Sequence, residues 1–314
     1  MSQSGCSLHQ YRNVHPVLTL ACGFSVLVTS SLAVAQEKPA KASYSPFSVS
    51  VSRVSTQPAE LGDGTGELQR DNWLIGGKAN FRLNRQWAVG LNVGYDKLDY
   101  DWTVISPNSS DLFPNGQTWS NIDRYRAGVS LTYRPDKHWM FMLAPQVQYA
   151  YADTASSKNA QSYGAVASAM YLFDTGNLLG FGVVYLNDIE EVRTVPYLAI
   201  RWQLSGHWQI ANPFQAGFSG PAGLELSYQI NHDWDVGVGG AKRTQRFLLA
   251  DDDLSVEIDE WASFVRGGWQ VTDALSMNGY VGYFFDGSLE LSQQLGTEKI
   301  SNQGAAALAI EFKF

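Results

Sequence analysis

Hydrophobic and polar residues alternate with a period of two along most of the chain. In WAVGLNVGY, residues 87–95, every second position is apolar or aromatic, and the positions between are small or polar. The same alternation runs through 124–132, 138–151 and 223–230. Successive side chains of a β-strand point to opposite faces, so this period predicts strands with one apolar face and one face of small, polar or charged residues.

The alternation and the turn signals between the periodic segments predict fourteen strands. They span residues 47–54, 72–83, 86–101, 121–134, 138–152, 161–173, 178–189, 194–204, 207–212, 222–230, 233–248, 255–270, 275–292 and 298–314. The first segment and 207–212 are short, which leaves twelve strands as the alternative.

The predicted connections alternate in length. Six are tight turns of two or three residues, at 84–85, 135–137, 175–176, 205–206, 231–232 and 272–274. The others are mostly longer and polar, an asymmetry typical of outer-membrane barrels with short periplasmic turns and longer extracellular loops. A soluble sandwich gives the same alternation, but the connections favour an antiparallel transmembrane β-barrel. The even strand number puts both termini on the periplasmic side.

A polar turn followed at once by Trp recurs where strands begin. The four copies are Asn84-Arg85-Gln86-Trp87, Asp136-Lys137-His138-Trp139, Ser205-Gly206-His207-Trp208 and Asn231-His232-Asp233-Trp234. Amphipathic rings prefer the headgroup level of a membrane, so these residues, with two more Trp that precede turns, predict a periplasmic aromatic girdle. Its members are Trp87, Trp139, Trp202, Trp208, Trp234 and Trp269. The alternative is Trp packing at the strand ends of a soluble sheet.

The N-terminus is typical of an export signal. The apolar stretch from Val17 ends in Ala33-Val34-Ala35, the small-x-small pattern of a signal-peptidase site. A membrane anchor and a lipoprotein signal ending at Cys22 are weaker alternatives. We therefore expect a signal peptide at 1–35 with cleavage after Ala35, a short periplasmic segment at 36–46 and a barrel at 47–314. Both cysteines lie within the signal peptide.

The C-terminus carries a second targeting signal, in addition to the predicted signal peptide. Ile310, Phe312 and Phe314 share one strand face, and the chain ends on the aromatic residue. An alternating final strand of this kind resembles the signal that the barrel assembly machinery recognises, here Phe312 and Phe314. The expected location is the outer membrane of a Gram-negative cell, with membrane lipid and the assembly machinery as partners.

Composition narrows the function. The 314 residues are 45% hydrophobic, 17% charged and 13% aromatic, which argues against disorder. Beyond residue 35 no apolar run reaches the roughly 18 residues of a spanning helix. The formal net charge of −8 and the lack of a Lys/Arg cluster make nucleic acid a poor partner.

The polar strand face predicts a charged lumen. Its basic candidates are Lys78, Arg82, Arg124, Arg126, Arg201 and Arg266, and its acidic candidates are Asp96, Glu225, Asp235 and Glu311. Rings of Arg favour anions in pores, so one hypothesis is a passive, porin-like channel for small hydrophilic solutes, including anions. The same residues, paired with one another, also brace a closed interior. Whether a loop fills the lumen stays open.

The second hypothesis is a closed structural or surface-binding barrel that acts through its extracellular loops. It rests on two aromatic segments, Tyr100-Asp101-Trp102 and Leu112-Phe113-Pro114.

The acidic residues Asp251-Asp252-Asp253, with Glu257, Asp259 and Glu260, are interpreted as a solvated rim rather than a metal site. His138, His207 and His232 all lie at the turn side, away from any outer-rim catalytic site, so we expect no enzyme and no cofactor.

One stretch, residues 180–246, resembles a known family. It contains GFGVVY at 180–185, VPYLAIRW at 195–202, WQIANPF at 208–214 and WDVGVGG at 234–240. This rhythm is similar to the bacterial family catalogued as domain of unknown function 6268. The matching motifs are strand and turn residues, so no catalytic residue carries over. The resemblance implies an outer-membrane β-barrel without an assigned substrate.

Overall fold

The structure is a computed structural model. It describes residues 45–62, 64, 66–104, 119–189, 192–213, 217–220, 222–250, 254–292 and 296–314. Within these residues no helix is long and apolar enough to cross a membrane. The predicted signal peptide and cleavage site lie outside the described residues.

Sixteen strands and one short 3-10 turn, Ser157–Asn159, make up the described secondary structure. The strands are β1 Phe47–Thr56, β2 Ala59–Leu61, β3 Gly66–Arg82, β4 Trp87–Val104, β5 Asn121–Tyr133, β6 Trp139–Ala152, β7 Gln161–Leu172, β8 Leu178–Asn187, β9 Val192–Gln203, β10 Trp208–Ala211, β11 Ala222–Gln229, β12 Trp234–Ala250, β13 Leu254–Gln270, β14 Leu275–Leu291, β15 Gly296–Ile300 and β16 Gln303–Lys313.

Fourteen of these strands close into one antiparallel ring. Every strand from β3 to β14 pairs with its neighbour in sequence, β14 pairs with β16, and β1 closes the ring between β16 and β3. The predicted barrel is therefore confirmed with fourteen strands, and the twelve-strand alternative is wrong. Both ends of the ring meet at the side of the tight turns, where the backbones of Phe47 and Phe314 hydrogen-bond to each other. We call this side the turn end and the opposite side the loop end.

Two boundaries differ from the prediction. Residues 55–71, predicted as a loop, hold the end of β1, β2 and the start of β3. The final predicted strand is divided into β15 and β16 at Ser301 and Asn302. Pro58 interrupts β1 and β2 because it has no backbone N–H to donate to a ladder. Beyond the two interruptions, β2 and β15 continue the wall between β3 and β14.

The barrel narrows toward the loop end. Strand β12 pairs with β11 only as far as Lys242, and its upper part bends across to β6, where Leu248 pairs in parallel with Tyr151. This bridge bypasses β7 to β11 and closes a smaller ring of nine strands: β12, β13, β14, β15, β2, β3, β4, β5 and β6. A ring of about eight strands has an interior that side chains can fill. Side chains can therefore fill most of the interior of the nine-strand ring at the loop end.

The alternation predicted from the sequence sets the two faces of the wall. Exposed apolar side chains such as Leu91, Val129 and Phe181 cover the outer face. The inner face is polar or charged on most strands, as expected, but this expectation is wrong for β6 to β9. There the inner wall is an apolar cluster of Met140, Met142, Val166, Met170, Leu178, Val184, Leu186 and Ala199. Gly180 and Gly182 leave space for the side chains of Met170 and Tyr197, which a Cβ at either glycine would overlap.

Candidate functional site

The interior at the turn end is a partly exposed basic vestibule. Alternation along β3 and β9 points Lys78, Arg82 and Arg201 inward, and Arg134 follows β5 at the same rim. Arg82 is exposed, and the other three are half-buried. Glu311 also faces inward here and lies next to Lys313. The vestibule at the turn end thus carries mainly positive charge.

Above the vestibule, a buried ion-pair layer crosses the interior. Asp96 of β4 is fully buried and bridges two arginines of β5. Its Oδ2 accepts from Arg124 Nε at 2.7 Å, and its Oδ1 accepts from Arg126 Nη2 at 2.7 Å. The antiparallel register places Arg124 opposite Asp96 on the same face, so the pairing follows from the strand alignment. All three residues were predicted to line the lumen.

A second buried ion-pair cluster joins β3 to the neighbouring strands β12 and β13, which are distant from β3 in sequence. Arg70 of β3 donates two hydrogen bonds of 2.8 Å to the carboxylate of Glu260 on β13. Arg243 of β12 lies 3.5 Å from the same carboxylate, and Gln303 accepts from Arg70. Both guanidiniums lie over the ring of Phe284, at 5.0 and 4.5 Å.

The sequence interpretation missed this cluster. Residue 70 fell in a predicted loop, and Glu260 fell in the stretch interpreted as a solvated rim. The dyad spacing of Glu260 with Phe264 and Arg266 along β13 was the available signal, because it places all three on one face.

A third cluster has the opposite charge balance. Arg266 of β13 donates to Glu225 of β11 at 2.7 Å and also pairs with Asp235 of β12. Its Nη1 donates to Asn278 of β14 at 2.9 Å. The predicted lumen residues Glu225, Asp235 and Arg266 are therefore brought together, and they brace four neighbouring strands.

Residues 217–220 of the β10–β11 connection lie inside the barrel. Phe218 is fully buried, stacks on Tyr280 at a centroid distance of 5.8 Å and contacts Phe284 at 4.9 Å. Gly217 has a φ of +78°, which favours glycine, and a Cβ there would lie 2.6 Å from Leu74. This segment occupies the lumen beside the charged clusters.

The loop end is closed by an apolar core inside the nine-strand ring. Tyr100, Trp119 and Phe247 form an aromatic group with centroid distances of 5.1 to 5.7 Å. They pack among buried aliphatic residues of β2 to β6 and β12 to β15. The interpretation of residues 100–102 as a partner-facing loop is wrong, because Tyr100 and Trp102 belong to β4 and pack in or against this core. Residues 112–114 lie outside the described residues.

The acidic stretch does not form the solvated rim that we expected. Glu257 pairs with Arg193 at 2.8 Å and with Arg246, and Asp259 pairs with Lys242 at 3.3 Å. The Arg193 pair joins β13 to the top of β9, and the other two pairs join β12 to β13. Residues 251–253 lie outside the described residues. Among the described residues, no group of three or more metal-ligating side chains is present.

The six Trp of the predicted girdle lie on the outer face at the turn end. Trp234 stacks on Trp269 at 5.2 Å, and Trp208 packs on Tyr228 at 4.8 Å. Trp202 contacts Phe173 at 5.3 Å. The remaining pairs are Trp87 with Tyr133 and Trp139 with Tyr171. Phe312 and Phe314 are exposed on the same outer face.

The recurring turn motif has a hydrogen-bond explanation. The first polar side chain of each copy accepts from the backbone N–H groups two and three residues later, as Asn84 does from Gln86 and Trp87 at 2.8 and 2.9 Å. Asp136, Ser205 and Asn231 repeat the pattern. Thr272 does the same without a Trp. Such side chains stabilise tight turns by satisfying backbone donors.

Two titratable groups in these turns are perturbed. The N–H groups of Trp139 and His138 stabilise the charged form and hold the pKa of the Asp136 carboxyl below its usual range. Asp233 accepts from His232 Nδ1 at 2.7 Å and raises the pKa of that imidazole above its ordinary value. His138 and His207 bond through Nδ1 to the carbonyls of Leu172 and Gln229. All three imidazoles thus lie at the turn end; those of His138 and His207 link neighbouring strands, and that of His232 contacts the next residue of its own turn.

Comparison with known proteins returns structures rather than sequence relatives. No family model and no curated protein matches the chain. An outer membrane channel from Pseudomonas putida F1 matches at 7% identity over 86% of this chain and 96% of that one, with a TM-score of 0.47. The Pseudomonas putida toluene transporter TodX matches at 9% identity over 85% and 89%, with a TM-score of 0.40. The NanC porin matches at 9% identity over 85% and 100%, with a TM-score of 0.38.

Proposed function

We propose that the protein is an outer-membrane β-barrel of the family with the unassigned domain 6268, inserted by the barrel assembly machinery. The outer face supports this location, because exposed apolar side chains surround the ring while charged residues are gathered inside. The aromatic groups at the turn end support a periplasmic girdle, with Phe312 and Phe314 as the assembly signal. The signal peptide at 1–35 remains a prediction.

The activity we propose is a channel for small hydrophilic solutes, with anions favoured, and the structure represents its closed conformation. One observation carries the proposal. The fourteen-strand ring holds a basic, partly exposed vestibule that leads to an Arg-rich layer, whereas a purely structural barrel has no need of concentrated positive charge at an accessible mouth. We propose no enzymatic activity and no cofactor.

A closed structural barrel is the second candidate. The observation that favours it is the apolar core of the nine-strand ring, which fills the loop end with Tyr100, Trp119, Phe247 and their aliphatic neighbours. A channel must therefore open by separating the bent part of β12–β13 from β6, where the described pairing is one parallel bridge.

Planar-bilayer recording of the refolded chain under a salt gradient tests the channel. We expect brief openings with a reversal potential on the anion side, because Arg82 and Arg201 stand at the entrance. Charge reversal by Arg82→Glu with Arg201→Glu should move the reversal potential toward cations. The matched control is Arg85→Glu with Lys137→Glu, the same total charge change in two exposed turns, which should move it less. An equal shift in both variants, or a folded chain that never conducts, would refute the proposal.

A further inference from the structure

The ion-pair layer encloses a small cavity in the middle of the barrel. Its volume is about 50 Å³. Arg124, Arg126 and Arg243 contribute to its lining, together with Asn72 and Ser219. No carboxylate belongs to the described lining residues. Three guanidiniums thus meet at one interior space, and the other described lining residues are uncharged, including the apolar Leu74, Ile75 and Leu98.

Arginines outnumber carboxylates in the described ion pairs around this cavity. In these pairs the arginines at 70, 124, 126 and 243 share two carboxylates, Asp96 and Glu260. A buried charge that is not fully compensated is costly, so the described residues leave the cavity with a positive excess. The Arg266 cluster, with two carboxylates for one guanidinium, lies on β11 to β14 and does not line the cavity.

Hydrogen bonding around the cavity is also incomplete. Arg243 is buried, and its Nη1 forms no hydrogen bond in the described structure, although Glu260 is 3.5 Å away. Asn72 Oδ1 is buried as well and has no hydrogen-bond partner among the described residues. Buried polar atoms are normally satisfied, so a donor and an acceptor left open at one cavity point to a missing ligand.

The inward segment completes the enclosure. Ser219 and Gly220 line the cavity opposite the arginines of β5. A Cβ on Gly220 would overlap the backbone carbonyl of Lys242, so glycine is needed for the segment to lie this close to β12. The cavity wall is thus built by the β10–β11 connection as well as by strands.

We propose that this cavity binds one small oxyanion, held by Arg124, Arg126 and Arg243. The volume accommodates a few water-sized positions at roughly 10–15 Å³ each, enough for one small anion but not for a bulky one. Guanidiniums are the preferred partners of carboxylate and phosphate oxygens, which they bind by charge-assisted hydrogen bonds. The inference rests on the proposed channel in one respect: it takes the bound anion to be a solute that the channel conducts.

The decisive variant is Asn72→Asp, which adds a carboxylate of nearly the same shape beside the excess positive charge. The probe is inorganic phosphate, titrated calorimetrically into the folded chain in detergent, with ionic strength held by bulky gluconate. We expect one phosphate per wild-type chain. In Asn72→Asp the affinity should fall at least about tenfold, because the new carboxylate occupies the site. The same variant should unfold at a higher temperature than the wild type without phosphate.

A second variant and a control test whether the change in phosphate affinity is specific to the cavity. Arg243→Gln removes one of the excess charges, so it should fold and also lose at least about tenfold in phosphate affinity. Arg85→Gln removes a charge of the exposed turn at 84–85, outside the cavity, and should stay within about twofold. A wild-type chain without phosphate binding, or equal affinity in wild type and Asn72→Asp, would overturn the site. Phosphate binding without any current would instead refute only the channel.

Discussion

The ion-pair layer predicts a large stability loss for Asp96→Asn. The Asp96 carboxylate is fully buried and holds both Arg124 and Arg126. Replacing it with an amide leaves two buried guanidiniums without a counter-ion. The substitution keeps the shape of the side chain, so the effect isolates the charge.

The expected magnitude follows from the contacts. Removing one partner of a buried ion pair costs about 3–5 kcal/mol. Asp96 accepts from two arginines at 2.7 Å each, so we expect at least the middle of that range, a loss of about 4 kcal/mol. Since about 1.4 kcal/mol is a factor of ten, the folding equilibrium should shift by roughly a thousandfold.

Equilibrium urea unfolding in lipid vesicles, followed by Trp fluorescence, measures this loss. The matched control is Asp71→Asn, which breaks the outer-face pair with Arg53, where the two side chains are 39% and 51% exposed. An exposed pair contributes about 0–1 kcal/mol. A loss in Asp96→Asn below about 1 kcal/mol, or equal to that of the control, would refute a buried layer held together by the Asp96 carboxylate.

Three further predictions concern the inward segment and the turns. Gly220→Ala should cost about 1–3 kcal/mol in thermal unfolding because the added methyl group overlaps a backbone carbonyl, whereas Gly206→Ala, in open space, should not. Asn231→Ala should cost about 0.5–1.5 kcal/mol, since two backbone N–H groups lose their acceptor. NMR titration should give a pKa of His232 above 6.5, and this pKa should fall toward 6.5 in Asp233→Asn. The His232–Asp233 pair therefore stabilises the folded protein fully below pH 6.5, and this stabilisation is lost as the pH rises through the folded-state pKa.

Equal losses in the two glycine variants would contradict the first of these predictions. Unchanged stability in Asn231→Ala would contradict the second, and a His232 pKa at or below 6.5 would contradict the third.

The barrel could be predicted from the sequence because each of its strands and tight turns is specified by a short segment of the chain. Alternation along one strand, as in residues 87–95, already assigns the inner and outer faces. The polar residue that opens each tight turn, such as Asn84 or Asn231, acts within three residues of itself. Strand number and topology therefore follow from short segments read in order.

The closure of the interior could not be predicted in this way. Arg70 and Glu260 are 190 residues apart, and their contact depends on the bend that carries β12 and β13 across to β6. The same bend buries Tyr100 and Phe247 together. Such a bend leaves no signature in a period-two pattern, because a strand keeps its alternation whether it continues along the wall or crosses the mouth.

The family assignment and the signal peptide remain predictions of the sequence. The resemblance rests on strand and turn residues in 180–246, and the described ones belong mostly to the wall from β8 to β12, with Arg201 and Asp235 among those that face inward.

The central claim is a channel that is closed where β12 meets β6. The most direct test is bilayer recording of the double variant Tyr151→Cys, Leu248→Cys, which places a cysteine pair across that bridge in a chain otherwise free of cysteine beyond residue 35. Ala127→Cys with Val147→Cys, within the permanent β5–β6 ladder, is the control. We predict that oxidation abolishes the openings of the first pair, that reduction restores them, and that the control is unaffected. Openings that persist in the oxidised first pair would contradict the account.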